Sequence, residues 1–81
     1  MTWTVYILQC ADKTLYTGIT NNLEARLTKH AEGKGAKYTR GRAPYEVIFC
    51  ELHTTKSEAL KRELEIKKLS KVQKLNLCVR L

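Results

Sequence analysis

The chain has 81 residues, with 15 lysines and arginines against 8 acidic residues, a formal charge of +7 and a pI near 9.5. That length allows one domain, 1–81, whose modest core must use every apolar face; no apolar run approaches the roughly 20 residues of a membrane span, and no signal-like segment opens the chain. A soluble, unsecreted, cytoplasmic protein without a membrane partner is expected, and its excess of cations on so small a surface attracts polyanions. Cys10, Cys50 and Cys78 are odd in number, far apart and set in apolar segments. They read as reduced core thiols, since neither metal-ligand spacing nor a disulfide framework is present.

From Trp3 to Ile19 two β-branched and aromatic runs surround the polar stretch Ala11-Asp12-Lys13, which predicts a β-hairpin. Side chains alternate along a strand, so an odd number of connecting residues puts Tyr6 and Tyr16 on one face. Gly18, beside Tyr16, leaves room there for a ligand or a second backbone. Asn21-Asn22-Leu23-Glu24 reads as a helix start capped by Asn21, and Gly33 as the end of a helix over 22–31. Leu23, Leu27 and Ala31 make its buried stripe, flanked by Arg26 and His30 four residues apart.

Residues 32–44 hold three glycines, four cations and no hydrophobic period, so a loop is expected, with one helical turn around 36–39. Lys34, Lys37, Arg40 and Arg42, interleaved with Tyr38, offer phosphate contacts and a ring on which a base can stack. The glycines are not a nucleotide-binding fingerprint, because that motif needs a strand before it. A third strand follows over 45–52, and its Glu46 and Glu51 leave the uncharged first strand as the centre of a three-stranded antiparallel sheet.

Thr55-Lys56-Ser57-Glu58 is a capping box opening a helix to about Leu69. On its wheel Ala59, Leu60, Leu64 and Ile66 bound an apolar arc that contains Glu63 and Lys67. A carboxylate turned inward needs a partner, either Lys67 one turn on or a bound divalent cation. Ser70-Lys71-Val72-Gln73 resembles a second cap, before a short helix through Leu75, Leu77 and Val79. The expected fold is α/β in the α+β sense, a three-stranded antiparallel sheet flanked by helices in the order β-β-α-loop-β-α-α.

In that order these residues resemble a GIY-YIG nuclease domain of the small, stand-alone bacterial type. Thr4-Val5-Tyr6 resembles the first motif and Tyr16-Thr17-Gly18 the second, about ten residues apart. Asn22-Leu23-x-x-Arg26-Leu27-x-x-x-His30 is similar to the following helix, Gly35-Ala36-Lys37-Tyr38-Thr39 to the loop of small members, and Glu63 to the metal-binding glutamate. Thr4 stands where the family has glycine, Thr17 where it has an apolar residue, and Ile19 where some members carry a lysine.

The resemblance implies metal-dependent phosphodiester hydrolysis of DNA by a structure-specific or repair-related endonuclease. RNA stays open as a second substrate, and a non-catalytic nucleic-acid-binding module on the same scaffold is the alternative. It implies that Glu63 holds one Mg²⁺ or Mn²⁺, Arg26 stabilises the pentacovalent phosphate and Tyr16 serves the attacking water. Tyr6 supports Tyr16, His30 orients Tyr6 or assists proton movement, and Asn76 corresponds to a polar residue of the last helix. With no DNA-binding domain appended, a protein partner that supplies targeting is a further expectation, and the oligomeric state stays open.

Overall fold

In the computed structural model, which describes residues 2–33 and 41–78, the uncharged N-terminal run becomes the middle of the sheet. Strand β1 (Trp3–Gln9) lies between β2 (Leu15–Thr20) and β3 (Glu46–His53), both antiparallel to it. Helix α1 (Leu23–Ala31) follows β2, while α2 (Lys56–Lys67) and α3 (Lys71–Cys78) follow β3. The order is the expected β-β-α-β-α-α. Val5, Tyr6, Ile7 and Leu8 are all fully buried, so both faces of β1 are covered. Each large apolar side chain so buried is worth about 1.5–3 kcal/mol, which is why the run without charge takes the centre.

One face of the sheet packs Val5, Ile7 and Phe49 against Ala59 and Ile66 of α2. The hairpin connection, residues 10–14, is odd in number, and the register pairs Tyr6 with Gly18 and Leu8 with Tyr16. Tyr6 and Tyr16 therefore share the other face. The turn bends through Lys13 at φ +70, with the Asp12 carboxylate accepting from the Thr14 amide and hydroxyl.

Two strand details differ from expectation. The third strand starts one residue later than predicted, at Glu46, and β3 carries an extra residue opposite β1, because Ile7 pairs with Phe49 while Leu8 pairs with Val47. This bulge at Ile48 reverses the facing of the chain before it. Ile48 packs on the α2 side of the sheet, and Val47 shares a hollow with Leu27 and Ala31 of α1.

The helix ends follow local chemistry with one shift. Asn22, rather than Asn21, caps α1, its side chain accepting from the Ala25 amide while Thr20 Oγ1 accepts from the Asn22 amide. Gly33, at φ +77, takes the left-handed position past the helix end and donates to the His30 carbonyl. Thr55 caps α2 by accepting from the Glu58 amide, and Ser70 with Gln73 forms a reciprocal capping box on α3. Helix α2 ends at Lys67, two residues before the expected Leu69.

The wheels are rotated from the predicted setting. On α1 the inward stripe is Leu23, Arg26, Leu27 and His30, of which only His30 is fully buried, and Ala31 is exposed. On α2, Ala59 and Ile66 are buried, whereas Leu60 and Leu64 are 40% and 58% exposed. The methyl of Ala59 lets α2 approach the sheet along the 59–63–66 line, which leaves both leucines outside it. Cys10 is buried and Cys78 half-buried, but Cys50 is exposed on β3, so the reading of three core thiols is corrected there; all three are free.

Candidate active site

Tyr6, Tyr16 and His30 form a triangle of rings. Centroids lie 6.3 Å apart for the two tyrosines, 6.0 Å for Tyr6 and His30, and 5.4 Å for Tyr16 and His30. Tyr6 is wholly buried and its hydroxyl lies 3.0 Å from His30 Nε2. Tyr16, on the edge strand, is only half-buried. Arg26, one turn before His30 on α1, places its guanidinium beside both phenols, close enough for each to favour its charged form. With Nε2 as the unprotonated nitrogen of a neutral His30, the Tyr6 hydroxyl donates to it and ties β1 to α1.

Burial, above all, raises the Tyr6 phenol beyond its ordinary value of 10.0, and the charges of Tyr16 and Glu63 add to that, while the Arg26 hydrogen bond works against it. Tyr6 therefore stays protonated and acts as a hydrogen-bond link. Burial also lowers the His30 imidazole below its ordinary 6.5, with the Arg26 charge a smaller second cause. His30 is neutral at neutral pH, as an acceptor for Tyr6 must be.

This arrangement couples stability to pH. The folded state binds a proton at His30 less readily than the unfolded chain does, so unfolding takes up a proton once the pH falls below about 6.5. The contribution is complete above the unfolded value and is lost as pH falls through the lowered folded one. The Tm of the wild type should thus decline between pH 7 and pH 5 more steeply than that of His30→Gln. Parallel thermal melts would rule the coupling out.

Gly18 holds the triangle together. A Cβ at Gly18 would stand 2.7 Å from Tyr6 Oη, 2.9 Å from Tyr6 Cζ and 3.0 Å from Tyr16 Cε2. The room expected there for a ligand or a backbone is taken by the Tyr6 phenol.

Glu63 lies on the buried line of α2, its side chain 15% exposed, with Lys67 Nζ 3.7 Å from Oε2. Its charge is felt at Tyr6, so the carboxylate and the phenols belong to one electrostatic neighbourhood. Lys67 is half-exposed and is the only partner of that carboxylate among the described residues. Most of the carboxylate's acceptor capacity is left over.

Tyr45, read in the sequence only as the start of a strand, also belongs to the cluster, with its ring centroid 6.0 Å from His30. The bulge at Ile48 turns it to the Tyr6 face, and no local signal in the chain announces that bulge. Arg42 is ion-paired with Asp12 in the hairpin turn, and its carbonyl accepts from the Ala11 amide. Asn76 is exposed on α3 beside Leu69, Gln73 and Leu77. Lys34, Lys37, Tyr38 and Arg40, the expected turn around 36–39, and Val79 lie outside the described residues.

Two tyrosines from β1 and β2 thus close on Gly18, with His30 and Arg26 of α1 beside them and Glu63 of α2 within electrostatic reach. The GIY-YIG catalytic domain model matches residues 2–76. The chain belongs to the GIY-YIG catalytic domain family. A UPF0213 protein of Oceanobacillus iheyensis is 58% identical over 73 residues, which are 90% of this chain and 85% of that one. Another, of Natronomonas pharaonis, is 56% identical over 70 residues, covering 86% and 82%. Among solved structures, the solution structure of a UPF0213 protein from Bacillus halodurans is 47% identical with a TM-score of 0.61, covering 95% of this chain and 82% of that one. A protein from E. faecalis is 42% identical with a TM-score of 0.66, covering 95% and 83%.

The GIY-YIG assignment brings a nuclease-type scaffold and, with it, nucleic acid as the class of substrate. Within it, Thr17 departs from the family's apolar residue at a cost, because it is 4% exposed and its hydroxyl has no partner among the described residues. Thr4, in place of the motif glycine, is 9% exposed and pairs with Thr20 and Leu52 across the sheet. No described helix is long and apolar enough to cross a membrane.

Proposed function

We propose that this GIY-YIG domain hydrolyses phosphodiester bonds in DNA, acting on branched or damaged structures in repair. The observation that carries the reading is the triangle of Tyr6, Tyr16 and His30, with the Arg26 guanidinium beside both phenols and the mostly buried Glu63 in electrostatic reach. A fixed cation, a half-exposed phenol and a mostly buried carboxylate are what an in-line displacement at phosphorus requires.

Arg26 binds the scissile phosphate and opposes the charge that grows on its oxygens. Tyr16, beside the Arg26 guanidinium, accepts a hydrogen bond from the attacking water and aims its oxygen at phosphorus. The new P–O bond forms as the bond to the leaving alkoxide breaks; the attacking water sheds a proton to solvent and the alkoxide takes one up from it. Tyr6, protonated and anchored on neutral His30, keeps Arg26 in place, and the Tyr45 ring packs edge-on to His30. Lys34, Lys37 and Arg40, with Tyr38, meet the flanking nucleic acid, while Arg42, held by Asp12, sets the end of that loop.

Glu63 would hold a divalent cation. Among the described residues no group of three His, Cys, Asp or Glu side chains could enclose a metal. That argues against a closed zinc site and suits Mg²⁺ or Mn²⁺, hard cations content with one or two carboxylates and several waters. When bound, the cation adds Lewis-acid stabilisation to the phosphate.

The test is a panel of labelled single-stranded, branched and duplex DNA and RNA with Mg²⁺ or Mn²⁺. Wild type should cut branched DNA only with the metal, and Arg26→Gln should lose at least about a hundredfold in rate. Binding without cleavage of any substrate would turn the assignment to a non-catalytic binding module.

A further inference from the structure

A second basic surface lies along the free edge of β2. Leu15, Tyr16 and Thr17 of that strand, with Lys67 of α2 and Lys74 of α3, line an open groove of about 370 Å³. It continues past Leu15 and Lys74 into a neighbouring hollow of about 240 Å³ lined also by Thr14 and Lys71.

Packing does not account for this groove. Lys71 and Lys74 occupy the first turn of α3, where the helix dipole is positive and acidic side chains are the stabilising ones, yet that turn has none. Neither lysine has an ion-pair partner among the described residues. The groove also starts at the active site, for Tyr16 is one of its walls and Lys67 reaches to Glu63.

We propose that this groove carries the sugar-phosphate backbone of the substrate strand next to the scissile phosphate, with Lys71 and Lys74 meeting phosphates beyond the one held by Arg26. A row of ammonium groups along an open channel suits an extended polyanion; a free nucleotide would want an enclosed pocket. The proposal rests on the phosphodiesterase reading above and adds to it the path of the strand.

Binding of a short labelled DNA duplex in EDTA, followed by anisotropy at several salt concentrations, tests it without interference from cleavage. Lys71→Gln/Lys74→Gln should lower the slope of log affinity against log salt by roughly 1.8, about 0.9 for each lost phosphate contact. Lys56→Gln/Lys61→Gln, which removes the same charge from α2 away from the groove, should keep the wild-type slope. A wild-type slope in the first variant, or an equal loss in both, overturns the proposal. Acetylation of the wild-type protein with and without the duplex, read by mass spectrometry, needs no variant. Lys71 and Lys74 should be protected by DNA and Lys61 should not. If the wild type binds and cuts DNA but leaves Lys71 and Lys74 unprotected, the strand path falls and the nuclease reading stands; if it binds no nucleic acid, both fall.

Discussion

Glu63→Gln should leave the protein folded and able to bind DNA, while metal-dependent cleavage falls by at least about a hundredfold, about 2.7 kcal/mol of transition-state stabilisation. The amide keeps the shape of the side chain but loses the charge that holds a hard divalent cation. The competing account is that Glu63 exists to pair with Lys67. That contact is 3.7 Å long and its lysine half-exposed, so its loss would change stability by only about 0.2–1 kcal/mol and cleavage not at all. DNA binding should persist because Arg26 and the lysines remain and a negative charge has gone. Activity titrated against Mg²⁺ and Mn²⁺ for both proteins, with folding followed by circular dichroism, separates the accounts. A folded variant that cuts like wild type would refute the metal role.

Gly18→Ala should damage the site through volume alone. Gly18 is buried within the sheet, so the expected loss is steric and not conformational. Its new methyl would press on a phenol that is wholly buried and hydrogen-bonded to His30, with no room to swing aside. Overpacking of this kind costs about 1–3 kcal/mol, which in a domain this size lowers Tm by roughly 4–8 °C per kcal/mol. Cleavage should fall further than stability does, because Tyr16 Cε2 is also within 3.0 Å of the new atom and a misplacement near 1 Å can cost about a hundredfold. Gly18→Ala/Tyr6→Phe removes the oxygen that stands closest and should regain part of the lost Tm. A Gly18→Ala protein with unchanged Tm and activity would mean that the phenols do not depend on this gap.

Much of the architecture is determined locally and was legible in the chain. The absence of charge from Trp3 to Leu8 marks β1 as the central strand, and an odd connection suffices to put Tyr6 and Tyr16 on one face. Thr55 and Ser70 cap their helices because a hydroxyl three residues from an amide can reach it in any setting. The helical period likewise puts Glu63 in line with Ala59 and Ile66, and Arg26 beside His30.

What the period leaves free is the rotation of each helix about its own axis, and only the opposing surface decides that. Helix α1 turns Arg26 and His30 inward and Ala31 outward because the Tyr6 face offers phenol oxygens that need polar partners. Helix α2 leaves Leu60 and Leu64 in solvent because close approach at Ala59 sets its line of contact. The bulge at Ile48, which turns Tyr45 onto His30, and the phenol filling the space at Gly18 have the same origin. They depend on residues distant in the chain competing for one volume, a quantity that spacing and propensity do not contain.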